Sequence, residues 1–64
     1  MTFQKQFSVL NSLLVPLIGE DNVQVWWTSS NKAFLNNSPL THLMEGNFDA
    51  IHEYLLAQHS GDFS

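Results

Sequence analysis

The chain has 64 residues and a formal net charge of −4, with six acidic residues and only two basic ones. Binding to nucleic acid or to an anionic membrane needs clustered lysine and arginine, so this composition argues against both as direct partners. The absence of cysteine excludes disulfides and thiolate zinc sites, and a domain this small is therefore expected to gain stability by oligomerising or by docking on a larger protein.

The first predicted helix covers residues 3–18. Its large apolar side chains recur at spacings of four and three, which indicates a helical stripe; they are Phe3, Phe7, Leu10, Leu14 and Leu17. Thr2 is suited to cap the start and Gly19 to end the helix. Pro16 lies inside the pattern and lacks an amide hydrogen, so we expect a kink or a break near Val15.

The next segment, residues 20–28, contains strand-forming residues, but no second strand is available to pair with it. Glu20 and Asp21 favour the positive end of a helix, so we predict a short helix here. Neighbouring helical residues point about 100° apart. We therefore expect Trp26 to enter the core and Trp27 to face a groove or a partner, the alternative being that both are buried.

Polar turns follow this helix. Ser29 or Ser30 is expected to cap a single helical turn that ends at Leu35. A second turn is predicted at residues 36–37, because asparagine tolerates left-handed backbone angles.

Ser38 and Pro39 give the sharpest local signal. Serine is a preferred N-cap, and proline is well tolerated at the first helical position, so a helix is predicted to begin here and to end at Gly46. Asn47 is expected to cap a final helix that ends at Gly61. The sequence thus predicts an all-α fold.

We interpret residues 1–64 as one small domain of four to five short helices. The histidines are His42, His52 and His59, and the last two lie about 10 Å apart along one helix, too far to share a metal ion. No nucleophile, phosphate-loop or metal motif is present in the sequence. We therefore expect no enzymatic activity, no cofactor and no metal site.

The sequence shows no pattern typical of a targeting or membrane segment. Ser8, Asn11 and Ser12 interrupt the apolar residues near the start, unlike a signal peptide. The longest apolar run, residues 13–18, is far shorter than the roughly 20 residues that a membrane helix needs. We expect a cytoplasmic protein.

A longer pattern runs through residues 20–64. It consists of a tryptophan, an asparagine five residues later, a small residue before a large apolar one, a Ser-Pro-Leu helix start, a glycine, and a final helix that ends in glycine: Trp26, Asn31, Ala33, Phe34, Ser38, Pro39, Leu40, Gly46, Tyr54, Leu55 and Gly61. This run resembles the C-terminal toxin-binding domain of the MbcA/ParS/Xre antitoxins. Residues 1–19 are compatible with the helix that precedes this domain in the family.

The resemblance implies an all-α domain that binds a RES-domain toxin, an NAD-consuming enzyme, and blocks the entrance to its active site, with the C-terminal segment close to the contact. Transferred to this chain, the partner-binding residues are Leu56, His59, Ser60, Gly61, Asp62, Phe63 and Ser64. The motif residues Trp26, Asn31, Phe34, Ser38, Pro39 and Gly46 are interpreted as structural. The chain departs from the family in two respects. We expect no counterpart of the family's N-terminal DNA-binding region, and residues 35–37 lack the glycine that is frequent in this turn.

A different class of function is also compatible with the sequence. The wide apolar stripe of residues 3–18 favours a homo-oligomeric adaptor or structural domain without a toxin partner. The two functions can coexist, and we expect a homodimer.

Overall fold

The computed structural model describes residues 2–60, which form four α-helices and a short 3₁₀ turn. The predicted all-α, single-domain fold is confirmed. In chain order the elements are α1 (Phe3–Ile18), α2 (Glu20–Thr28), the 3₁₀ turn (Lys32–Phe34), α3 (Pro39–Met44) and α4 (Phe48–His59).

Helix α1 begins and ends where the sequence predicts. The Thr2 side chain accepts a backbone hydrogen bond at the start, and Gly19 ends the helix with a φ of 85°. The helix continues through Pro16, so the predicted break is absent. Pro16 lies in the last turn, where its ring removes only the hydrogen bond to the Ser12 carbonyl, and this loss does not interrupt the helix.

The 3₁₀ turn forms, but its capping residue differs from the prediction. The Asn31 side chain, rather than that of Ser29 or Ser30, caps the turn by accepting a hydrogen bond of 2.9 Å from the Ala33 amide. Asparagine suits this position because its side-chain carbonyl reaches an amide two residues on.

Two consecutive residues after the 3₁₀ turn have left-handed backbone angles. The φ of Leu35 is 60° and that of Asn36 is 67°. Asparagine was expected to adopt such angles, whereas leucine rarely does.

Helices α3 and α4 are separated by a sharp turn at Gly46, whose φ is 89°. Ser38 caps α3 and Pro39 occupies its first position, as predicted. Asn47 occupies the N-cap position of α4, but its side chain makes no capping hydrogen bond. The side-chain nitrogen Nδ2 of Asn47 lies instead 3.5 Å from Nδ1 of His42 on α3. The described part of α4 ends at His59, and the predicted stop at Gly61 lies outside the described residues.

The core lies between the four helices. Helix α1 packs against both α2 and α4, and α3 closes the arrangement by packing against the same two helices. Every helix and the 3₁₀ turn contribute a buried apolar side chain, and these are Leu10, Leu14, Trp27, Phe34, Leu43, Ile51 and Leu55.

The two tryptophans exchange the places that the sequence predicts. Trp27 is only 3% exposed, and its indole Nε1 donates a hydrogen bond of 2.6 Å to Oδ1 of Asn11 on α1. Trp26 is half-buried. The prediction that Trp26 is the core tryptophan is therefore wrong. Val23, which also packs on the core, shares a helix face with both tryptophans. Trp27 differs in having the polar partner for its indole that a buried tryptophan requires.

Candidate protein-binding surface

The last two turns of α4 present the described part of the predicted partner-binding segment. Leu56 is 44% exposed, and His59 and Ser60 are exposed. The other predicted contact residues, 61–64, lie outside the described residues. A large apolar side chain is therefore presented to solvent at this end of the helix.

A hydrogen bond ties the end of α4 to α1. Nε2 of His59 lies 2.5 Å from the carbonyl oxygen of Leu13. For this contact the ring must carry its hydrogen on Nε2. His59 thus holds the helix end in place while part of its ring stays accessible to a partner.

A groove of about 330 Å³ opens beside this helix end, between α1, α2 and α4. Its walls include Leu17 and Ile18 from α1, Trp26 from α2, and Tyr54 and Gln58 from α4. The groove residues Tyr54 and Gln58 and the exposed residues Leu56 and His59 occupy the same last turns of α4, but Leu56 lies on a different face of the helix from the groove. We call the groove and the exposed helix end together the α4-end surface, which comprises Leu17, Ile18, Trp26, Tyr54, Leu56, Gln58 and His59.

The α4-end surface contains no aspartate, glutamate, lysine or arginine. Its polar groups are the Trp26 indole N–H, the Tyr54 hydroxyl, the Gln58 amide and the imidazole of His59. Neutral polar groups lose less hydration free energy than charges when they are covered. An apolar surface with aromatic side chains and few charges is typical of the buried centre of a protein–protein interface.

The groove aromatics are supported from behind by Phe34. Its buried ring packs edge to face with Trp26, with centroids 6.1 Å apart, and with Tyr54, with centroids 5.3 Å apart. Such contacts restrict the orientation of both aromatic rings. Phe34 therefore affects the α4-end surface indirectly, by positioning the side chains of Trp26 and Tyr54.

The other motif residues shape the loop and α3. Asn31 and Ser38 cap their elements, Pro39 is buried at the start of α3, and Gly46 turns the chain with a positive φ. Of the six motif residues, only Trp26 lines the groove.

Sequence reasoning missed four of the named groove residues, Leu17, Ile18, Tyr54 and Gln58. Leu17 was assigned to the core stripe of α1, although it is 36% exposed. Tyr54 and Gln58 are four residues apart and share a face of α4. This spacing was visible in the sequence, but the position of α2 opposite that face was not.

The described residues offer no arrangement typical of a metal centre. Across residues 2–60, no group of three or more histidine or acidic side chains could hold a metal ion. No helix within that range is long and apolar enough to cross a membrane. No protein-family model, curated protein or solved structure matches the chain.

Proposed function

We propose that the chain is a non-enzymatic, cytoplasmic protein-binding module of the antitoxin type. In this proposal it binds a RES-domain toxin and blocks the entrance to the NAD-consuming active site. The observation that carries the proposal is the α4-end surface, where an apolar, uncharged groove adjoins the helix end that the resemblance assigns to the toxin contact.

The composition of this surface supports binding to a protein. Trp26 and Tyr54 offer large aromatic areas, and Leu17 and Leu56 add exposed aliphatic ones. Aromatic side chains in desolvated pockets account for much of the binding free energy at many interfaces. The toxin as the specific partner is supported by the motif that runs from Trp26 to Gly61.

The support that Phe34 gives to the groove also favours binding. A partner that binds side chains already held in place loses less conformational entropy than one that must order them. The bond between His59 and the Leu13 carbonyl has the same effect at the helix end.

The experiment measures NAD consumption by a RES-domain enzyme, with increasing amounts of the chain added. We expect consumption to fall to the background rate at saturation. Leu56→Asp should abolish the inhibition, because it places a charge at an exposed apolar residue that the resemblance assigns to the toxin contact. Met44→Asp is the matched control, since Met44 is 69% exposed and lies on α3, outside the α4-end surface.

Three results would count against the proposal. Unchanged NAD consumption at saturating wild-type chain would refute the toxin as partner. Full inhibition by Leu56→Asp, or equal loss with Met44→Asp, would show that the contact lies elsewhere. Deleting residues 61–64 should weaken inhibition while the helicity measured by circular dichroism stays nearly constant, because the four described helices end before this segment.

A further inference from the structure

Leu35 combines a rare backbone conformation with high exposure. Its φ is 60°, and its side chain is 82% exposed. The left-handed region is unfavourable for leucine and costs glycine little. A large apolar side chain at such a position is therefore disfavoured both by its backbone conformation and by its exposure to water in the isolated chain.

The loop that carries Leu35 is firmly held. The amides of Phe34 and Asn36 both donate to the carbonyl of Asn31 at 3.0 Å, and the Asn31 amide donates to the carbonyl of Asn37 at 3.1 Å. The residues that these bonds join lie before and after Leu35 in the chain. Leu35 thus forms a fixed apolar protrusion.

A second groove, of about 420 Å³, also borders Trp26 and Ile18. Val25 lines it and is 62% exposed, and Asn31 forms part of its wall. Since Asn31 also accepts the hydrogen bond from Asn36, the groove and the Leu35 loop are neighbours. We call them together the Leu35–Val25 face.

We propose that the chain pairs with a second copy of itself through the Leu35–Val25 face, with Leu35 of each copy filling the Val25 groove of the other. A protrusion beside a groove on one face is self-complementary under two-fold symmetry, in which each copy contributes both halves of the contact. Pairing by this face does not use Leu56 or His59, although the Val25 groove shares Ile18 and Trp26 with the α4-end surface.

Charge favours a second copy at this face. Two chains of net charge −4 repel each other over most of their surfaces. Among residues 2–60, no charged residue lines the Val25 groove, and the only charged residue between positions 29 and 37 is Lys32. Two copies can therefore meet here without placing carboxylates opposite each other.

Sedimentation equilibrium of the purified chain over about a hundredfold range of concentration tests the proposal. We expect the wild type to be a reversible dimer. Leu35→Asn should raise the dissociation constant about a hundredfold, because each dimer loses two buried leucines, and asparagine keeps the left-handed turn. Val25→Glu should also weaken the dimer, because it places a charge in each groove.

Met44→Gln is the matched control, since it changes an equally exposed apolar residue outside the face and should leave the dissociation constant unchanged. Far-UV circular dichroism establishes that each variant is folded. A wild type that stays monomeric at every concentration would overturn the proposal, even if the face binds another protein. A dimer that resists both Leu35→Asn and Val25→Glu would also overturn it. Leu56→Asp should dimerise normally, which separates this proposal from toxin binding.

Discussion

Replacing Trp27 by alanine should lower the free energy of unfolding by about 3–5 kcal/mol, as expected for a buried large aromatic side chain. Trp27 is 3% exposed, and a buried tryptophan removes about 150–250 Å² from water. At about 25 cal/mol per Å² this area corresponds to about 4–6 kcal/mol, an upper value because the unfolded chain also buries some of it. The substitution also leaves Oδ1 of Asn11 without its indole donor.

This loss is large relative to the stability of the whole domain. At about 0.05–0.15 kcal/mol per residue, a chain of 64 residues has a free energy of unfolding of roughly 3–10 kcal/mol. Trp27→Ala should therefore leave the domain marginally folded or unfolded at room temperature. Trp26→Ala is the matched control, and because its side chain is only half-buried the expected cost is about 2 kcal/mol.

Urea unfolding followed by far-UV circular dichroism measures both free energies. The chain concentration is held low and constant, because self-association adds to the apparent stability. The assignment of Trp27 to the core is refuted if Trp26→Ala lowers the free energy of unfolding more than Trp27→Ala does. It is also refuted if Trp27→Ala has the same urea midpoint as the wild type.

Two further substitutions test local features by thermal unfolding. Ser38→Ala should lower the free energy of unfolding by about 1 kcal/mol, because it removes the cap of α3; an unchanged melting temperature would show that the cap contributes nothing. Leu35→Gly should raise the stability of the monomer by about 0.5–1 kcal/mol, because glycine adopts the left-handed angle without strain; a lower melting temperature at monomeric concentration would contradict the assignment of backbone strain.

The helix boundaries could be predicted because the groups that set them act within one turn of chain. Thr2 and Ser38 each accept an amide hydrogen bond from three residues ahead. Gly19 and Gly46 end their helices through their own backbone angles. Local rules of this kind require no knowledge of the rest of the molecule.

The errors fall where residues distant in the chain decide the outcome. Trp27 is buried because Asn11, on another helix, accepts its indole hydrogen bond. A hydrophobicity pattern does not distinguish it from Trp26. Leu35 adopts its angle because Asn31 organises the surrounding loop, and leucine itself carries no signal for a left-handed turn.

Only part of the candidate surface could be predicted, because the rest of it also depends on residues that are distant in the chain. Leu56 and His59 were identified from the resemblance and lie on the exposed end of α4. The groove beside them is formed by three helices, and no spacing within one helix reveals it. The Leu35–Val25 face likewise depends on how the loop folds back onto Asn31.

The link between His59 and the Leu13 carbonyl joins positions 46 residues apart, and this has a consequence for how the chain is made. During translation, α1 leaves the ribosome well before Ile51 and Leu55, the two side chains with which α4 completes the core. The nascent chain therefore exposes the apolar stripe of α1 until α4 follows it out. We expect the domain to fold only after α4 has emerged, and before then its chain is accessible to chaperones and proteases.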